Sequence, residues 1–327
     1  MSFALILPFL KPIAHLIQDP DISEIMVNGG GHVFVEQQGV VHSVDGVSVA
    51  DKSLQIAVRN IARLLGDDVS EERPILDARL PDGSRVAAVL PPCSVGGTTL
   101  TIRRFQSQFF TIDELTRIGT LTTPMVEAVQ AAMERRENIL ISGGTSTGKT
   151  TLLNALASFL PEADRIVLIE DTAELQLHKP HLVRFEARRE QQQLPAVSIR
   201  DLLKATLRHR PDRIIVGEVR GGEAYDLLQA LNTGHGGSLS TIHANSAEQA
   251  LARLTSCVLQ SGVEIPYQAI RHMIADSVQL LLHIQRRGGK RIVTELRHLS
   301  RFDPDRDRFV MEPCVVGDGL REPEAVR

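Results

Sequence analysis

Tryptophan is absent from this sequence, and tyrosine occurs only twice in 327 residues. Proteins that grip single-stranded nucleic acid commonly stack its bases on aromatic rings, and no such platform is available here. The charge balance agrees: 36 basic against 40 acidic side chains give a net charge of −4, so there is no global positive field for a polyanion. Residues 184–213 are locally basic, with eight Lys and Arg against four Asp and Glu. Without an aromatic platform beside the charge, that stretch reads as a solvated or subunit-facing surface. Cysteine is equally sparse. Cys93, Cys257 and Cys314 lie far apart with no C-x-x-C, which argues against a disulfide framework or a zinc site and fits a reducing cytosol. There are no repeats and no low-complexity segments. The most apolar stretch, SFALILPFLKPIAHLI near the N-terminus, is interrupted by Pro8, Lys11, Pro12 and His15. It also lacks a basic leading region and a small-residue cleavage site, so it suits neither a membrane-spanning helix nor a signal peptide. It is expected to be a helix packed on its own domain or on a neighbouring subunit; a loose membrane-surface contact is the sharper alternative.

What is present is patterned in two ways. Residues 22–104 read as a small α+β unit. Runs at 24–28, 32–37, 39–44, 75–80, 85–90 and 98–105 have strand character, and residues 49–65 form an amphipathic helix. QSQFFTID, residues 106–113, reads as a linker. From Thr123-Pro124, a helix start with proline at its first position, the pattern alternates. Strands at 138–142, 165–170 and 213–217 interleave with helices at 149–160 and 199–208, and strands follow at 238–244, 280–285 and 291–296. Such alternation predicts a largely parallel sheet covered on both faces. The expected division is therefore an N-terminal domain over 1–105, a linker over 106–113 and a C-terminal domain over 114–327, whose last residues, about 314–327, are frayed.

The second domain carries a phosphate-binding signature, G-x-x-x-x-G-K-[ST], as Gly143-Gly144-Thr145-Ser146-Thr147-Gly148-Lys149-Thr150, followed by Thr151. It sits between an apolar strand-like run and a helix-like run, where the chemistry requires it. Glycines let successive N–H groups curl around an anion, and the helix N-terminus adds its dipole. Lys149 is placed for the β- and γ-phosphates and Thr150 for Mg²⁺. The apolar strand Arg213–Val216 runs through Gly217 into Glu218, where a glycine and a glutamate replace the usual strand-terminal aspartate. Glu218 is expected to orient the attacking water, to help hold Mg²⁺ through water, or both; the bland reading is a pair with Arg220. Glu170, Asp171 and Glu174 end another apolar strand, suited to indirect Mg²⁺ coordination or water activation, or only to capping and loop solvation. His243 ends the strand in GHGGSLSTIHAN; it is either a satisfied core histidine or a group that bonds a γ-phosphate or Glu218 and reports nucleotide state.

GGTSTGKTT, LIEDTAEL, RPDRIIVGEVRGGEA and TGHGGSLSTIHANS occur in that order between residues 143 and 246. Together they resemble the Walker A, Asp box, Walker B and His box of the secretion ATPase superfamily, the hexameric motors of type II and type IV secretion and of type IV pili. DARLPDGSRVAAVLPP and TLTIRRF resemble that family's N-terminal domain. The resemblance implies an α/β protein with a C-terminal RecA-like phosphate-loop domain, a mostly parallel sheet and a smaller, PAS-like α+β domain before it. It implies ATP and Mg²⁺ as cofactors, Glu218 as catalytic base, and Lys149, Glu170 and His243 as catalytic residues. Thr150, Asp171, Glu174 and Glu218 would serve the metal. Arg103, and Arg85 with it, would reach the γ-phosphate when the domains close. One departure is Gly236, where members commonly read GHPGS; it is expected to loosen the loop after His235. The absence of a four-cysteine element and the form of IRHMIADSVQLLLHIQRRGGKRIVTEL make the sequence more like conjugal-transfer and type IV secretion members than like pilus motors. A cytoplasmic homo-hexamer at the inner membrane, working with inner-membrane components of a secretion or pilus machine and without stable nucleic-acid binding, is the implied partner set. A pilus retraction or assembly motor is the alternative within the family. A RecA-like nucleic-acid motor, or a ring that binds ATP without turning it over, is the alternative outside it.

Overall fold

The computed structural model describes residues 6–105, 110–188, 190 and 194–314. Contacts divide the chain into two units, residues 1–108 with 190–195, and residues 109–189 with 196–327. Residues 106–109 of the expected linker lie outside the described residues. Its later part is not linker: Thr111 and Glu114 form a reciprocal capping box that starts a helix inside it.

In the first unit the proline-broken N-terminal run makes two short 3₁₀ turns, Leu7–Phe9 and Lys11–Ile13, before α1 (Ala14–Gln18). Ile6, Leu10, Ile13, Leu16 and Ile17 are all buried in this unit's own core. There follow β1 (Ile22–Val27), β2 (His32–Gln37), β3 (Val40–Ser48), α2 (Asp51–Leu64), β4 (Ile75–Arg79), β5 (Arg85–Val89) and β6 (Thr99–Arg103). They form an antiparallel sheet of order β3-β2-β1-β6-β5-β4. Alternate residues, among them Val33, Val35, Ile25, Val27, Leu100, Ile102, Val86 and Ala88, face the core. Helix α2 buries Leu54, Ala57, Val58, Ile61 and Ala62 there, at the spacing of one helical face. The opposite sheet face carries charge. Arg79 pairs with Arg85, Arg85 with Arg103, Arg103 with Glu24 and Glu24 with Glu36 in one continuous register row.

The second unit comprises α3 (Ile112–Arg117), α4 (Thr123–Glu134), β7 (Ile139–Gly143), α5 (Lys149–Leu156), β8 (Ile166–Glu170), β9 (Leu182–Glu186), α6 (Ile199–Thr206) and β10 (Arg213–Val219). It continues with α7 (Glu223–Asn232), β11 (Leu239–His243), α8 (Ala247–Leu259), α9 (Tyr267–Ser277), β12 (Leu280–Arg287), β13 (Lys290–Asp303) and β14 (Arg308–Pro313). The sheet order is β14-β13-β12-β7-β11-β10-β8-β9. Strands β12 to β9 are all parallel; β13 and β14 close one edge antiparallel. Strands β7 and β8 are buried along their whole length, which is why they read as unbroken apolar runs. Their side chains alternate between two cores. Ile139, Ile141, Ile166 and Leu168 enter one, and Leu140, Val167 and Ile169 enter the other. With both faces covered, the place left for a ligand is the carboxyl edge of the parallel strands, where β7, β8, β10 and β11 all end. Among the described helices, none is long and apolar enough to cross a membrane.

Candidate nucleotide site

The loop after β7 is built around close contacts that only glycine permits. A Cβ at Gly143 would come within 2.5 Å of the Ile284 carbonyl oxygen and 2.6 Å of Thr147 Oγ1. Gly148, which caps α5, has φ +97°. Ser146 at the loop tip also has positive φ, +56°, a conformation that side-chain-bearing residues seldom adopt. Thr147 Oγ1 donates to the Gly144 carbonyl at 2.9 Å. Lys149 Nζ donates to the Gly143 and Gly144 carbonyls at 3.1 and 2.9 Å, and lies 3.3 and 3.4 Å from the ring nitrogens Nδ1 and Nε2 of His243. Thr145 is exposed, and Thr150 and Thr151 are half-buried on the first turn of α5.

Three charged elements converge on the same edge. Glu218 Oε2 accepts from Arg220 Nε at 2.7 Å, and Arg220 Nη1 reaches Asp171 Oδ2 at 3.2 Å. His243 Nε2 lies 2.6 Å from Glu218 Oε1, close in charge terms but off the line of hydrogen-bond donation. Glu218 Oε1 is therefore a buried carboxylate oxygen without a hydrogen-bonded partner. Burial lowers the pKa of Lys149, with Glu218 opposing. Burial lowers that of His243 too, against Glu218 and reinforced by Lys149. A neutral imidazole beside Lys149 is electrostatically consistent: it offers a lone pair where an imidazolium would repel.

Glu170 differs from the other acids. It is 3% exposed, and its Oε1 accepts from the backbone N–H groups of Glu174 and Leu175, both at 2.8 Å. Arg184 lies 3.5 Å from Oε2. Burial raises its pKa, partly offset by those two backbone donors. The side chain thus folds the 171–175 loop back onto β8. A Cβ at Gly217, the residue before Glu218, would come within 3.1 Å of Glu170 Cγ, a tight contact that a glycine avoids.

Several expected residues stand elsewhere. His235 precedes β11, at the amino end of the parallel strands, where its Nδ1 lies 3.0 Å from the Ala230 carbonyl. A Cβ at Gly236 would come within 2.9 Å of the Arg136 carbonyl oxygen, so a small residue lets the two segments pack. Arg208 and Arg210 precede β10 and so belong to the amino edge as well, whereas Arg220 follows β10 at the carboxyl edge. Arg85 and Arg103 belong to the other unit, directly opposite each other on β5 and β6.

Two features escaped sequence reading. Ser142, just before the loop, is buried with His283 of β12, its Oγ 2.8 Å from His283 Nδ1. Arg291 of β13 donates from Nε to the Ser146 carbonyl at 3.4 Å, with its Cδ 3.0 Å from where a Gly148 Cβ would stand. The pairing of β12 with β7 brings both to the loop, and no local motif announces it.

The model of the family described as "Type II/IV secretion system protein" matches residues 9–306. The chain belongs to that family. As a type II/IV secretion system protein it is an ATPase, and its relatives include conjugal-transfer and type IV secretion proteins. It is similar to a conjugal transfer protein TrbB of Rhizobium radiobacter, 38% identical over 88% of this chain and 86% of that protein. It is also similar to the type IV secretion system protein PtlH of Bordetella pertussis, 35% identical over 83% of this chain and 87% of that one. Among solved structures, the ATPase DotB of Legionella pneumophila shares the fold, with TM-score 0.60 at 19% identity over 93% of this chain and 82% of that one.

Proposed function

We propose that the protein is a cytoplasmic ATPase of a type IV secretion or conjugal-transfer system. In this reading it works as a ring of six at the inner membrane, driving substrate transfer, pilus assembly or both. The second unit is taken as a RecA-like motor domain and the first as a PAS-like domain. The observation that carries the reading is the buried Oε1 of Glu218, held at the carboxyl edge of the sheet 2.6 Å from His243 Nε2 but without a hydrogen-bonded partner. A buried carboxylate oxygen without a donor is set to accept from a water.

In the proposed mechanism the N–H groups of residues 143–151 cradle the phosphates. Lys149 leaves the Gly143 and Gly144 carbonyls for the β- and γ-phosphates. Glu218 Oε1 accepts the proton of the attacking water as its oxygen bonds to the γ-phosphorus and ADP departs. His243, neutral and between Lys149 and Glu218, registers whether Lys149 has moved. Mg²⁺, when bound, would neutralise charge building on the β- and γ-oxygens, held by the Thr150 hydroxyl and, through water, by Asp171, Glu174 and Glu218. The donors are of the right kind: Thr150, Asp171, Glu174 and Glu218 offer only oxygen, the hard ligand that Mg²⁺ takes, and Mg²⁺ in phosphate sites uses few protein ligands. Asp171 and Glu218 already converge on one cation, Arg220. Glu170 acts through the loop it holds. Arg85 and Arg103 are proposed as the cations for the γ-phosphate; they stand directly opposite each other on β5 and β6, so both side chains belong to one face of that sheet.

The test is phosphate release from MgATP by the purified protein across a concentration series, with and without single-stranded DNA, alongside mass measurement. Turnover that rises as rings form and ignores DNA supports the proposal. No turnover leaves an inert ring, and stimulation by DNA over orders of magnitude points to a nucleic-acid motor.

A further inference from the structure

We infer that Arg291 is a positioning residue of the nucleotide site, holding the peptide between Ser146 and Thr147 so that the Thr147 N–H faces the phosphates. The inference rests on the nucleotide reading of the loop. Its geometry begins with register. Ile284 pairs with Gly143, so the last residues of β12 run past the carboxyl edge beside the loop. The chain turns at Gly288 and Gly289, both at positive φ, and Arg291 returns opposite Arg286. Its stem then lies across Gly148, with Cδ 3.0 Å from the position of a Cβ there, and its Nε donates to the Ser146 carbonyl at 3.4 Å. Gly148 is thus glycine for two reasons, its φ of +97° and the side chain lying on it.

Ser146 holds a backbone conformation that costs energy, with φ +56°, so something must fix it. In a trans peptide the carbonyl and the following N–H point in opposite directions. A donor that draws the Ser146 oxygen outward therefore turns the Thr147 N–H inward. Anion nests are made of successive N–H groups aimed at one point, and one misdirected peptide removes one donor. Lys149 ties the loop from within through the Gly143 and Gly144 carbonyls, and Arg291 ties its tip from outside.

Glutamine carries its amide nitrogen on Cδ, as arginine carries Nε, so Arg291→Gln keeps the donor and removes the charge. MgADP and a non-hydrolysable ATP analogue are titrated calorimetrically into the wild type, Arg291→Ala, Arg291→Gln and Arg291→Lys, and kcat and KM are measured for each. Arg291→Ala is expected to weaken both nucleotides by the same factor, roughly two- to fivefold for one long, exposed hydrogen bond. It should raise KM while leaving kcat unchanged, the mark of uniform binding. Arg291→Gln should restore most of that loss. Restoration by lysine but not glutamine would show a bare charge effect and overturn the inference, as would a fall in kcat at constant KM. Wild type that binds nucleotide while Arg291→Ala binds it equally well would sink this inference alone. Wild type that binds none would sink the loop reading and this inference with it. Since Arg291 is exposed, unchanged melting of the three variants is expected, and it separates loop geometry from misfolding.

Discussion

Glu218→Gln should keep the fold, keep nucleotide binding and lose turnover. The amide has the carboxylate's shape. Its oxygen can retain the hydrogen bond from Arg220 Nε, and its NH₂ then faces the His243 ring. What disappears is one negative charge. Arg220 is 53% exposed, so its weakened pairing is screened and costs at most about 1 kcal/mol. A positioned base, by contrast, contributes roughly 10²–10⁴ in rate. At about 1.36 kcal/mol per decade, that is about 3–5 kcal/mol of barrier, several times the pairing loss. Two measurements separate these effects. Phosphate release at saturating MgATP should fall by the factor just given. The thermal midpoint should move by no more than about 4 °C, the shift expected for about 1 kcal/mol in a large domain. Calorimetric titration should show the ATP analogue binding at least as tightly as to the wild type, because a charge near the phosphates is gone. Turnover within a few-fold of wild type would refute the assignment and direct attention to Asp171. Loss of binding together with a large drop in melting temperature would show that Glu218 is structural, the partner of Arg220 and nothing more.

Lys149→Ala should abolish hydrolysis and weaken nucleotide binding, since among the site residues no other cation rests on the loop's inner carbonyls; turnover close to wild type would remove the phosphate-loop reading. Arg103→Ala should preserve the ring and ATP binding, seen by mass measurement with a non-hydrolysable analogue, yet lose most turnover, a cationic contact of this kind being worth about 10³–10⁵ in rate. A monomer with full, concentration-independent activity would contradict that role. Glu170→Gln tests the buried carboxyl. Because burial raises its pKa in the folded state, its contribution to stability is complete below the ordinary carboxylate range and is lost as pH rises through the folded value. Denaturant melts between about pH 4 and 7 should therefore show the wild type losing ground to the variant as pH rises; a pH-independent difference would count against the burial effect.

Much of the fold could be read because its signals are local. The strand–loop–helix of residues 139–156 announces itself through an apolar run, a glycine loop and helical spacing, all contiguous. Strands β2, β5 and β6 of the first unit alternate because one sheet face is buried and the other is wet. Strand β9 was missed because LVRFE is short, half-polar and on the outer edge of the sheet, where only one neighbour supports it. Strand β14 was missed for the same reason at the other edge. At the site, the acids were legible as a set but not in direction. Whether Glu170 points outward to a metal or inward to the N–H groups of Glu174 and Leu175 depends on how the next five residues turn. The glycine at 217 gave a hint, since a missing side chain before Glu218 implies that something fills its space. Arg291 lies more than 140 residues from Ser146, and its role follows only from the pairing of β12 with β7.

The proline-broken opening of the chain has a practical consequence. Ile6, Leu10, Ile13, Leu16 and Ile17 are core side chains of the first unit. Each fully buried aliphatic side chain contributes about 1.5–3 kcal/mol. Five of them together rival the about 5–15 kcal/mol that separates a folded domain from its unfolded chain. Residues 6–18 thus behave as a stopper for the first unit, and an expression design that begins at Asp19 would remove it.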